Sequence, residues 1–297
     1  MAPVRLVAIY CGIVFLGGAL LAPWLYWAIH GAGPPGELAP DGAGEPFHRY
    51  VHRAILALAL LGVWPLVRRL KMNARDLGLV PVQLSRVGAG YTIGFVSLAV
   101  VALLAIAVGA RRLEPISPNM LAGTIALAAL SAILVAVLEE ILFRGALFGV
   151  LRTGQPIPVA IFLSSLLYAT VHFFDRPPPP VAVKWYSGFT TLLTMLAGFV
   201  DIERLVPGIF CLLLAGVILA SAYQRTGTLY FSIGLHAGWI FWLKLYRALT
   251  MPNGEMNASF WGTTKMIDGW LAVCTMGVLC FCLNAWYRRF WKDSHVV

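Results

Sequence analysis

Charge is what this sequence has least of. It carries 13 acidic and 22 basic residues in 297, so only 12% of positions are charged, about half the roughly 25% of a soluble domain. Set beside apolar runs that approach or exceed the ~20 residues a helix needs to cross a bilayer, that scarcity excludes a soluble globular chain. Cysteine offers no chemistry either. Cys11, Cys211, Cys274, Cys280 and Cys282 all lie in apolar runs, without CxxC spacing or a nearby histidine that would point to zinc. No HExxH is present, which removes the usual zinc-protease signature, and no GxSxG, which removes the usual serine one. No internal repeat marks a transporter built from two related halves, and no segment resembles a nucleic-acid module. A cleavable signal peptide is also missing: the first apolar run is too long for an h-region and reads as a signal anchor.

What the sequence does contain is a series of spans, and the fold class they predict is an all-α polytopic transmembrane bundle of about eight helices, one integral membrane domain over 1–297. The spans fall at 6–29, 51–67, 87–108, 121–151, 157–174, 205–224, 229–250 and 267–287. Residues 188–200 are apolar but too short, and read as interfacial or re-entrant. A polar connector with Glu37, Asp41 and Glu45 joins the first two spans, and the four prolines of FDRPPPPVAVKW predict a stiff extended link. The basic loop with Arg68, Arg69, Lys71, Arg75 and Arg86 and the C-terminal RRFWK belong on the cytoplasmic side. Eight spans place both there together with Arg5, with both termini cytoplasmic. The formal charge of +9 then reflects membrane topology, and no nucleic-acid partner is expected.

Against this background the stretch VLEEILFRGALFG, residues 137–149, stands out. Each acid at a helix centre costs ~2.5–3.5 kcal/mol on insertion scales. Glu140 and Arg144 are four apart with the acid first, the favourable order for an ion pair on one helical face. Glu139 is left over, because successive helical residues point about 100° apart. Two histidines also sit at apolar depth, His172 in LLYATVHFF and His236 in SIGLHAGWIFW. At ~1.5 Å per residue, Glu139, His172 and His236 lie roughly 18, 22 and 10 Å from the cytoplasmic ends of their spans, so one aqueous cavity could hold all three. His30, His48, His52 and His295 read as solvated. Gly145/Gly149 and Gly234/Gly238 have the small-xxx-small spacing that lets helices pack closely.

A carboxylate with neighbouring imidazoles can activate water as a general base and relay its proton. The same Glu139, His172 and His236 could instead ligate zinc with one open position. They could also form the proton relay of a carrier. Ser164, Ser165 and Ser232 read as ordinary small polar residues of the spans.

Three ordered motifs carry a resemblance. EEILFR (139–144), YATVH (168–172) and HAGWI (236–240) resemble the EExxxR, FxxxH and HxxxN/D motifs of the CPBP intramembrane proteases, the type II CAAX prenyl endopeptidases and related bacterial enzymes. The likeness covers about 121–250, which it marks as the catalytic core helices. It implies a bundle with a cavity open to the cytoplasm, Glu139 as the base that activates water, and His172 and His236 orienting that water and stabilising developing charge. Glu140 and Arg144 would brace the site, without a metal cofactor in the favoured reading and with zinc as the other. It further implies a lipid-anchored or membrane-tethered peptide substrate and a bacterial or archaeal inner membrane. Two positions depart from the pattern. Ile240 stands where the family has Asn or Asp, and losing one oxyanion donor costs ~2.7–4 kcal/mol in other hydrolases. Tyr168 stands in place of Phe, and its hydroxyl is expected to compensate in part, with Ser232, one turn before His236, as a second candidate. The departure keeps two alternatives in view, a catalytically inactive scaffold or immunity-type protein and a proton-coupled transporter.

Overall fold

Helices form here wherever the apolar runs are unbroken and stop where proline, glycine or clustered charge interrupts them. The computed structural model describes residues 2–30, 46–174, 176–180, 182–253 and 257–290; the expectations for Glu37, Asp41, Glu45, His295 and Lys292 lie outside these residues. In chain order the elements are α1 (Pro3–His30), α2 (Phe47–Arg69), α3 (Leu84–Ala107), β1 (Arg111–Leu113), α4 (Pro118–Leu151), α5 (Ile157–Val171), α6 (Ser187–Thr194), α7 (Ile202–Thr226), α8 (Tyr230–Leu249), β2 (Thr250–Pro252), α9 (Ala258–Trp261) and α10 (Trp270–Phe290). The class is the expected all-α membrane bundle.

Six described helices, α1, α2, α3, α4, α7 and α10, are long and apolar enough to cross a bilayer. The expected fifth and seventh spans are less regular. α8 has 20 residues but carries Lys244 and Arg247 toward its end. α5 has only 15, about 22 Å of helix against a hydrocarbon core of about 30 Å. It stops at Val171, so His172 stands in the turn beyond and not on the helix as expected. The proline run from Pro177 keeps the chain from resuming helix beyond that turn, since proline has no N–H to give and disfavours helix in the residue before it. The 188–200 stretch is α6 followed by a 3-10 turn, Met195–Phe199.

By internal contacts the chain forms two compact units. The first comprises residues 1–72 and 171–201. Its core is Ala22, Phe47, Tyr50, Val51, Ala54 and Met195, with Tyr26 edge-on to Phe47 and Tyr50 at 5.6 and 5.3 Å. His30, expected to be solvated, hydrogen-bonds the Tyr50 hydroxyl at 2.9 Å. Close approach is by glycine: a Cβ at Gly18 would meet the Ile55 backbone, and one at Gly188 the Ala19 carbonyl.

The second unit comprises residues 73–170 and 202–297. Here α8 packs against both α3 and α4. Gly90 and Gly94 of α3 interleave with Gly234 and Gly238 of α8. A Cβ at Gly90 would meet the Phe231 carbonyl, one at Gly94 the Leu235 carbonyl, and one at Gly238 would lie 2.6 Å from the Phe95 nitrogen. Dispersion between backbones in such close contact is what joins helices where the surrounding lipid is as apolar as the side chains. The expected glycine pair of α8 therefore serves α3, and the matching Gly90/Gly94 pair was legible in the sequence by the same spacing. Elsewhere β1 and β2 pair antiparallel, with Arg112 opposite Met251. Arg111 is buried between them, its Nη2 donating to the Thr250 carbonyl at 2.9 Å and its guanidinium 4.9 Å from the Tyr246 ring centre. The 73–83 loop is tied down by polar tethers: Tyr223 donates to the Asp76 carbonyl at 2.7 Å and Arg152 to the same oxygen at 3.1 Å.

Candidate active site

α4 builds the site, beginning from a Ser117 cap that accepts the Met120 N–H and from Pro118 in the first turn. Through its first turns only every fourth residue is buried: Ala128, Ala132, Ala136 and then Glu140. At Ile141 the backbone changes to π-helix, which runs through Phe148. From Leu142 to Leu151 every residue is buried. Wider π turns inside α-helices concentrate at functional sites, and this one starts one residue after the two acids.

Glu140 is fully buried and pairs with Arg144 at 2.9 Å, the i,i+4 ion pair expected from the sequence. Its second partner was not legible there: Glu140 Oε1 also accepts from His236 Nδ1 at 2.9 Å. An ionised carboxylate only accepts hydrogen bonds, so Nδ1 carries a proton and Nε2 of the neutral ring is left as an acceptor. The Tyr168 hydroxyl sits 3.2 Å from Nε2 and donates to it. Glu139 Oε2 lies 3.7 Å from the same Nε2, with 24% of its side chain exposed. The two nitrogens of an imidazole diverge, as do two successive residues of a helix. One ring can therefore face both acids, the buried one through Nδ1 and the accessible one through Nε2.

Tyr168 is held by its ring. The Arg144 guanidinium lies 4.3 Å from its centroid, and Phe143 meets it edge-on at 5.2 Å. A desolvated cation–π contact of this kind contributes about 2 kcal/mol and helps to hold the hydroxyl toward His236. Ser232 is buried one turn before His236; its hydroxyl donates to the carbonyl of Leu229, just ahead of the helix, at 2.9 Å and also lies against the Glu140 carboxylate. Ile240 is half-buried one turn after His236. His172, exposed in the turn after Val171, belongs to the first unit. The structure thus brings Glu139, Glu140, Arg144, Tyr168 and His236 together in the second unit. Both nitrogens of His236 are engaged by protein groups, and among the described residues no three of His, Cys, Asp and Glu are disposed to hold a metal ion.

Residues 121–242 match the family model described as Rce1-like, type II CAAX prenyl endopeptidase Rce1-like. The matched stretch contains every residue of the cluster, and His172 and Ser232 as well. No curated protein and no solved structure matches the chain.

Proposed function

We propose that this chain, whose residues 121–242 match the type II CAAX prenyl endopeptidase model of the CPBP intramembrane proteases, hydrolyses a peptide bond of a membrane-associated substrate with Glu139 as the base. Glu139 takes a proton from water, and the resulting hydroxide adds to the scissile carbonyl. As the tetrahedral oxyanion forms, the Tyr168 hydroxyl turns from His236 to donate to it. His236, whose Nδ1 is held by Glu140, receives the proton from Glu139 at Nε2 and passes it to the leaving amine. An imidazolium formed there is stabilised by a carboxylate on each side, which lowers the cost of charging a ring buried among helices. The family motif assigns His172 the orienting of the water, and no step here is routed through it. Arg144 compensates the Glu140 charge and pins Tyr168. No metal takes part in these steps. A lipid-anchored or membrane-tethered peptide is the substrate class, since the reacting groups are carried by apolar helices.

The observation that carries this reading is the placement of one imidazole between two carboxylates of different exposure, Glu140 on Nδ1 at 2.9 Å and Glu139 3.7 Å from Nε2. Its test is cleavage of a membrane-tethered peptide reporter by the purified chain, with Glu139→Gln as the comparison and a chelator added in parallel. Loss in the variant and persistence under the chelator are expected. Full cleavage by Glu139→Gln would remove the assignment, and loss under the chelator would replace it with a metal mechanism. Ile240 favours a second reading, a scaffold that has lost catalysis, and the absence of cleavage by wild type across a reporter library would select it.

A further inference from the structure

The first unit holds a polar feature that the proposed hydrolysis does not use. His48, Arg49, His52, Arg53 and Arg176 line a pocket of about 470 Å³, within the roughly 300–1,000 Å³ of small-ligand sites. Four of the five come from the first two turns of α2, where unsatisfied backbone N–H groups already favour negative charge. The fifth comes from the start of the proline-rich segment 176–180, whose extended backbone holds Arg176 across from the helix. Among the described residues no acid lines the pocket. The two histidines, expected to be solvated, are instead half-buried, with ring centroids 6.2 Å apart. His48 Nδ1 and His52 Nε2 are both shielded from solvent without a hydrogen-bond partner among the described residues. A buried polar nitrogen costs free energy until it is paired, and two such nitrogens beside guanidinium groups are a built set of donors.

We infer that this pocket is an anion site for a phosphate group, bound by the arginines through charge-assisted hydrogen bonds and by the histidines through ring N–H groups. Planar guanidinium forks match phosphate oxygens in pairs, and a tetrahedral dianion is large enough to meet donors from both walls. The site lies at the opposite end of α2 from Arg68 and Arg69, which close the same helix. With the basic loop on the cytoplasmic side, it faces the other surface of the bilayer, at the level of lipid headgroups. The phosphate has two sources there, a phospholipid headgroup and a soluble phosphate.

The experiment uses the full chain, purified in a neutral sugar detergent. Binding is read by native mass spectrometry and thermal shift with short-chain phosphatidic acid, with inorganic phosphate, and with diacylglycerol of the same chain length as the phosphate-free control. The site is supported by saturable binding of either phosphate ligand that weakens about tenfold in Arg53→Gln and again in Arg176→Gln, as loss of one charge-assisted hydrogen bond predicts. Retention of lipid alone assigns the headgroup, and retention of both assigns a small-anion site. Equal binding of diacylglycerol and phosphatidic acid, no binding of either phosphate, or unchanged affinity in both variants would overturn it. Both arginines are exposed, so the ligand-free melting temperature should stay at the wild-type value; His52→Gln, which keeps one donor of similar size, gives a check from inside the pocket.

Discussion

The two halves of α4 are equally apolar in sequence and have opposite surroundings in the fold. In Pro118–Glu140, Leu127, Leu130, Ile133 and Leu134 are exposed and only a stripe of alanines meets protein. In Ile141–Phe148, arginine included, the side chains are buried on nearly all sides. The first half is a lipid-facing span, and the second is the centre of a bundle. Charge is placed at the junction: Glu139 keeps an accessible edge while Glu140 is enclosed among Arg144, His236 and Ser232. Two neighbouring, chemically identical acids are thereby given different work, one open to water and one held to fix a ring.

That contrast is most severely tested by Glu139→Gln, which removes the accessible carboxylate and keeps its shape. General-base catalysis is worth about 10²–10⁴-fold, so cleavage should fall by that much with stability unchanged; a variant within threefold of wild type, a limit of about 0.6 kcal/mol, would assign Glu139 no more than a solvated role. Arg144→Met tests the enclosed half. It leaves Glu140 buried with one partner fewer, and breaking a buried pair costs about 3–5 kcal/mol, to be read as a loss of folded protein in unfolding titrations in mixed micelles. Tyr168→Phe keeps the ring over Arg144 and removes only the donor at 3.2 Å from His236. Cleavage should drop about tenfold, the effect of one hydrogen bond to a charged group, and unchanged turnover would show that the hydroxyl does not offset Ile240. Leu130→Ala lies on the lipid-facing half and should change stability by no more than about 0.5 kcal/mol, leaving cleavage untouched. An effect as large as that of Arg144→Met would mean that this face is also an interface.

Much of the site could be read from the chain before any coordinates. Glu140 and Arg144 were paired by spacing, and Glu139 was singled out because the pairing left it over. Tyr168 was marked as a donor one turn before His172. Other features were not legible. That Glu140 grips His236 depends on the rotation of α4 against α8, which no local pattern encodes. The π-helix after Glu140 has no propensity signature, since the residues of ILFRGALF suit an α-helix as well. The apolar run continues to Phe174 and so predicts helix through His172, whereas the helix ends at Val171. His48 and His52 sit near a polar connector, a position that predicts solvation, and only the arrangement of α2 against the proline-rich segment half-buries them.

The sequence by itself determined the spans, the helical class and the identity of the expensive charges, because the cost of placing a group in hydrocarbon is a property of that group and its immediate run. The tertiary structure alone decided which nitrogen faces which acid, where α4 passes from lipid to protein, and which glycines let α3 and α8 touch. Those depend on the rotation and register of helices far apart in the chain, where differences of a few ångströms separate a hydrogen bond from none.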